Sequence, residues 1–149
     1  MERITLDDVV SSFKGFSHYC FYVGNAIPEN KKRNACISMG VTGQNPSVLA
    51  LYDNTFWGGS RAGFVLAEDG LYARNSTIDP PIYCLWAEIK RLDCKGKYLV
   101  VNDHQIETLY FDDASRRKCC SGISSLVAKI TGRLPFATDY VHCTQSKPS

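Results

Sequence analysis

The chain has 149 residues, with 17 Lys and Arg against 15 Asp and Glu, a net charge of +2, and 44% hydrophobic and 11% aromatic residues. That is the size and composition of one globular domain, large enough to bury a core that needs neither a metal nor a disulfide staple. The near balance of charge argues against a dedicated nucleic-acid binder, no apolar run reaches the roughly 18 residues of a membrane span, and the start of the chain has no basic, apolar signal segment, so a cytoplasmic protein is expected.

Thr5 is placed to cap a helix with Asp8 at its third position, and Leu6, Val9, Val10 and Phe13 then share one face before Gly15. The next segment, Phe16 to Val23, is aromatic and apolar enough for a buried strand or a continued helix, and periodicity does not separate the two. Pro28 suits the first turn of a second helix, Glu29 to Met39, which Gly40 ends. Its Lys31, Lys32 and Arg33 read as a solvated face.

From Ser47 the hydrophobic period changes to two, giving strands at Val48 to Tyr52, Gly63 to Glu68, Leu71 to Arg74, Ile82 to Trp86, Lys97 to Val101 and Gln105 to Tyr110. Asp69-Gly70 predicts a type I′ hairpin, and Asn102-Asp103 a second turn. The spacers are too short for parallel crossovers, so the strands form an antiparallel meander. Asp112 or Asp113 then caps a last helix, whose Cys119, Ile123, Leu126, Val127 and Ile130 make one apolar stripe that stops before Gly132. The expected organisation is one domain over 1–134, made of a helical region 1–46, strands 47–111 and a helix 112–132. A tail follows over 135–149, its last residues expected to be disordered.

Seven cysteines, Cys20, Cys36, Cys84, Cys94, Cys119, Cys120 and Cys143, make an odd number with no pair at zinc-ligand spacing. They read as free packing thiols in a reducing compartment, with no metal and no cofactor. His18 lies two residues from Cys20, a spacing that strand alternation alone explains.

Two stretches of the chain carry a family likeness. They are Ile27-Pro28-Glu29-Asn30-Lys31-Lys32 with Asn34-Ala35, and Leu51-Tyr52-Asp53-Asn54-Thr55-Phe56-Trp57-Gly58-Gly59 followed by Gly63-Phe64-Val65-Leu66 and Asp69-Gly70-Leu71-Tyr72. Together they resemble a bacterial family of PH-like (pleckstrin-homology-like) domains, over roughly Ile27 to Ile130. The resemblance implies an α+β fold, a PH-like antiparallel β-sheet or barrel of about six to seven strands with N-terminal helices and a C-terminal capping helix. It also implies a binding scaffold, here a standalone member, and names no substrate.

Enzyme motifs are missing: there is no nucleophile elbow, Walker loop, dinucleotide fingerprint, paired-histidine zinc motif or calcium loop. The histidines, His18, His104 and His142, fall on different elements, and Asp7-Asp8, Glu68-Asp69 and Asp112-Asp113 read as caps and turn formers. A non-enzymatic protein is therefore expected. Phosphoinositide recognition needs clustered Lys and Arg, but the loop Asp53 to Ala62 holds only Arg61, while Lys90-Arg91, Lys95, Lys97 and Arg116-Arg117-Lys118 are scattered surface charges.

What remains is a protein partner met through Phe56, Trp57 and Arg61, with Tyr72 and Tyr83 nearby, because Trp, Tyr and Arg dominate interface hot spots. Trp57 has a second reading as a plug folded back into the barrel mouth, which the family likeness of its loop favours. The expected function is stoichiometric, non-catalytic binding of a partner protein, as an adaptor or as an inhibitor of the immunity-protein kind. A membrane-surface lipid binder and a small thiol enzyme are the alternatives, and the oligomeric state stays open.

Overall fold

The computed structural model describes residues 3–41 and 47–137. Its helices are α1 (Leu6–Ser12), α2 (Glu29–Met39) and α3 (Asp113–Thr131). Its strands are β1 (Phe21–Val23), β2 (Val48–Asp53), β3 (Gly63–Ala67), β4 (Gly70–Arg74), β5 (Ile82–Leu85), β6 (Leu92–Lys95), β7 (Tyr98–Val101) and β8 (His104–Glu107). Among the described residues the strands form two open antiparallel sheets, β1-β2-β3-β4-β5 and β6-β7-β8. The fold class is α+β, with eight strands where six or seven were expected.

Both additional strands are products of pairing. β1 comes from the ambiguous aromatic segment and is set by register with β2, Phe21 opposite Tyr52 and Val23 opposite Ala50. β6 reads Leu-Asp-Cys-Lys, too polar to stand out as a strand, and it forms because the turn at Gly96 (φ +60°) folds Lys95 back onto Tyr98.

Local chemistry accounts for the helix ends. Thr5 and Asp8 form a full capping box on α1, the Asp8 amide donating to Thr5 Oγ1 at 3.2 Å and the Thr5 amide to Asp8 Oδ2 at 2.8 Å. Asp112 caps α3 by accepting from the Ser115 amide at 2.7 Å. Gly40 and Gly132 end α2 and α3 in the left-handed conformation, φ +81° and +80°. Pro28 stands one residue earlier than expected, at the cap of α2. On α1 only Val9 is buried, with Phe13 buried at its C-cap, while Leu6 and Val10 face outward, since a helix this short meets its neighbours along a narrow line.

The five-stranded sheet is covered on both faces. On one, α2 lays Ala35 and Met39 over Leu51, Val65 and Tyr72. On the other, α1, α3 and the second sheet enclose Tyr52, Phe64, Leu71, Trp86, Leu99, Ile106, Ile123 and Leu126. Every residue of β2 and β3 is buried, which explains their continuous apolar sequence.

Two of these expectations need correction, a turn type and a surface charge. The type I′ turn at Asp69-Gly70 does not form, because neither residue has positive φ. Glycine is required there by proximity: a Cβ on Gly70 would lie 2.3 Å from the Cys84 carbonyl oxygen of β5. In the second hairpin Asn102 takes the left-handed conformation, φ +54°. Arg116, read as a surface charge, is buried. Its guanidinium donates to Thr108 Oγ1 (2.6 Å), Thr108 O (2.9 Å) and Phe111 O (2.7 Å), tying the segment after β8 to α3.

Phe136, assigned to the tail by its lack of periodicity, pairs beside β6: its amide donates to Lys90 O at 2.8 Å and its carbonyl accepts from the Leu92 amide at 2.9 Å. The expected disorder at the C-terminus, His142 and Cys143 lie outside the described residues. Among the described residues no helix is long and apolar enough to cross a membrane.

Candidate partner-binding site

β2 delivers Asp53 to the edge of the sheet, where its carboxylate becomes the knot of the β2–β3 loop. Lys31 of α2 donates to Asp53 Oδ2 at 2.7 Å and to the Gly58 carbonyl at 2.6 Å. The Thr55 amide and hydroxyl donate to Asp53 Oδ1 at 2.9 and 2.6 Å, and Thr55 Oγ1 in turn accepts from the Ser60 amide at 3.2 Å. Ser60 is held at φ +59°, a conformation that L residues resist at a cost of about 1 kcal/mol. Lys31 is therefore not a solvated charge, and the loop base is a tied structure.

Asn54 fastens the loop to the other side of the molecule. Its Oδ1 accepts from Tyr52 Oη at 2.7 Å and from the Leu109 amide at 2.8 Å, while Tyr52 Oη accepts from the Tyr110 amide at 3.0 Å. Burial holds the Asp53 carboxyl against ionisation, but the Lys31 ammonium and the two Thr55 donors outweigh it and leave its pKa below the ordinary value. Burial also raises the Tyr52 phenol and the Cys20 thiol above theirs, so both stay protonated near neutral pH.

On this base Phe56 and Trp57 stand outward, 78% and 90% exposed, their rings edge to face with centroids 4.8 Å apart. Trp57 is thus not a plug. The fully buried indole is that of Trp86, whose Nε1 donates to Ala67 O at 2.9 Å. Beside the aromatic pair is a cleft of about 290 Å³ walled by Tyr19, Cys20, Tyr22, Lys31, Phe56 and Tyr110. Tyr19 is 72% exposed, and Lys31 lies 5.8 Å from the Tyr22 ring centre. These walls offer ring faces and phenol hydroxyls.

The anticipated site residues fall into three places. Phe56 and Trp57 meet. Arg61 lines a separate cleft of about 210 Å³ with Asn34, Ile37, Ser38 and Arg74, and its carbonyl accepts from Ser38 Oγ at 2.6 Å. Tyr72 and Tyr83 stack at 4.3 Å and both donate to Asp69 Oδ2, at 3.0 and 2.6 Å. Tyr72 is buried, so this pair offers mainly Tyr83, on strand β5, which is an edge strand among the described residues.

Tyr19, Tyr22, Lys31 and Tyr110 were not anticipated. The one available signal was the four aromatic residues between Phe16 and Val23. His18 meets Cys20 through the backbone, its Nδ1 accepting from the Cys20 amide at 3.1 Å. The described residues hold six free cysteines and no cluster of three or more His, Cys, Asp or Glu placed to bind a metal.

Fold and site together define an α+β protein with a braced, solvent-facing aromatic loop. Comparison with known proteins found no matching family model, no matching curated protein and no matching solved structure.

Proposed function

We propose that this protein is a non-catalytic, PH-like binding module of the cytoplasm that associates stoichiometrically with a partner protein, with Phe56 and Trp57 as the anchors. The observation that carries this reading is the outward exposure of two adjacent large rings on a loop whose base is locked by Lys31, Asp53 and Thr55. Apolar surface of that kind gains about 25 cal/mol per Å² when covered. A loop already held in shape loses little conformational freedom on binding. The helix, meander and helix order, with α3 packed against the sheet system, supports the PH-like assignment. Against a phosphoinositide ligand stands the engagement of Lys31 by Asp53 and the displacement of Arg61 to another cleft. An inhibitor needs one binding surface and an adaptor two, and the Phe56–Trp57 pair supplies one, which favours inhibition.

The test compares the wild type with a Phe56→Ala, Trp57→Ala double variant, each immobilised and exposed to lysate of the native cell, and then measures affinity for the co-eluting protein. The expected result is a loss of at least about 2 kcal/mol, roughly thirtyfold, with an intact fold. Equal binding by the variant overturns the site. Cosedimentation with anionic phosphatidylserine vesicles in the absence of any protein partner overturns the class.

A further inference from the structure

A second site lies across the molecule, where β6 meets α3. Cys94 on β6 and Cys120 on α3 are far apart in sequence, yet β6 packs on α3 and the two residues line one cleft. Cys94 Sγ also lies 3.5 Å from the Arg116 carbonyl oxygen. Both sulfurs open onto a cleft of about 550 Å³ whose α3 wall carries Arg117, Ser121 and Ser124 and whose far side carries Leu134 and Pro135. Cys119, next in sequence, points into the core instead and is buried.

We propose that Cys94 and Cys120 form an oxidisable dithiol, in which Cys94 reacts with a hydroperoxide and Cys120 resolves the product to a disulfide joining β6 to α3. The geometry supplies each requirement: Cys94 Sγ lies against the α3 backbone one turn from Cys120, both thiols line a cleft that admits a small oxidant, and Arg117 stands on the wall of that cleft. The electrostatics divide the roles. The Cys120 thiol donates to Cys94, which together with the two arginines against burial and Asp93 lowers the Cys94 pKa; the same bond raises that of Cys120. The shifts resolved for the other described cysteines, Cys20, Cys36, Cys84 and Cys119, are all upward, with burial the first cause.

The chemistry balances. The Cys94 thiolate attacks the hydroperoxide, breaking its O–O bond, and takes the terminal oxygen as a sulfenic acid while the alkoxide or hydroxide leaves and collects a proton. Cys120 gives its proton to solvent and attacks Cys94 Sγ, displacing hydroxide, which leaves as water. Two thiols and one hydroperoxide thus become one disulfide, one alcohol or water, and one further water; the sulfur pair loses two electrons and the O–O bond gains them.

The test treats the reduced protein, carrying Cys143→Ser to silence that thiol, with one equivalent of hydrogen peroxide and maps the products by tryptic mass spectrometry. The expected product joins the peptide 92–95 to the peptide 119–129, with fragmentation placing the link on Cys120. Cys119→Ser retains the link. Cys120→Ser leaves Cys94 as a sulfenic acid that a cyclic 1,3-diketone traps, and Cys94→Ser abolishes both products. Labelling spread evenly over the thiols, a link that follows Cys119, or oxidation of Cys36 or Cys20 ahead of Cys94 overturns the proposal. The map in the parent protein stands even where a serine variant fails to fold.

Discussion

Lys31 of α2 and Asp53 at the end of β2 meet with Nζ 2.7 Å from Oδ2, both side chains nearly sealed from solvent, at 16% and 4% exposure. The contact joins helix, strand and loop, since the same ammonium holds the Gly58 carbonyl. Removing one partner strands a charge, so Lys31→Met is expected to cost about 3 kcal/mol in chemical denaturation. Adding Asp53→Asn to that variant should restore part of the loss.

The same pair gives a pH dependence with a definite sign. Asp53 has a folded-state pKa below its ordinary value of 3.8, so the unfolded chain takes up the proton first as pH falls. Its contribution is fully present above that ordinary value and is lost as pH falls through the lower, folded one. Urea midpoints measured downward from pH 5 should therefore fall more steeply for the wild type than for Asp53→Asn.

Trp57 is expected to separate stability from binding. With 90% of its surface exposed, Trp57→Ala should change unfolding free energy by less than about 0.5 kcal/mol while weakening partner binding. A thermal midpoint several degrees lower would show that the ring supports the fold.

Gly122 on α3 predicts the opposite of helix propensity. Alanine in a helix interior is favoured over glycine by about 1 kcal/mol, but a Cβ here would lie 2.5 Å from the Phe13 ring. Phe13 is buried among Phe16 and Phe21 and cannot withdraw freely. Overpacking of this kind costs about 1–3 kcal/mol, so Gly122→Ala should be net destabilising, and a Phe13→Leu background should relieve it.

Arg116 should not tolerate lysine. Its planar fork satisfies Thr108 Oγ1 and the Thr108 and Phe111 carbonyls together, and an ammonium does not span the three. Arg116→Lys leaves at least one buried acceptor unpaired, for an expected loss of about 1–3 kcal/mol in chemical unfolding.

What the amino-acid sequence determined by itself is what depends on neighbours within about four residues. The Thr5–Asp8 box, the glycine stops at Gly40 and Gly132, a cap at Asp112 or Asp113 and the α3 stripe from Cys119 to Ile130 are all of this kind. The central strands β2 and β3 were legible for a related reason, since burial on both faces leaves an unbroken apolar run. Phe56, Trp57 and Arg61 could be named as exposed-loop candidates, but not their exposure, nor their partition between two clefts. Those outcomes, with the burial of Lys31 and Arg116, the strand status of polar β6, the need for glycine at position 70 and the meeting of Cys94 and Cys120 in one cleft, were decided by the tertiary structure. Each rests on a group brought from beyond that local range: Asp53 to Lys31, Thr108 to Arg116, Val101 to Leu92, the Cys84 carbonyl to Gly70. A charged side chain carries no local mark of whether a carboxylate or carbonyl will arrive to replace its water, and only the folded chain supplies that partner.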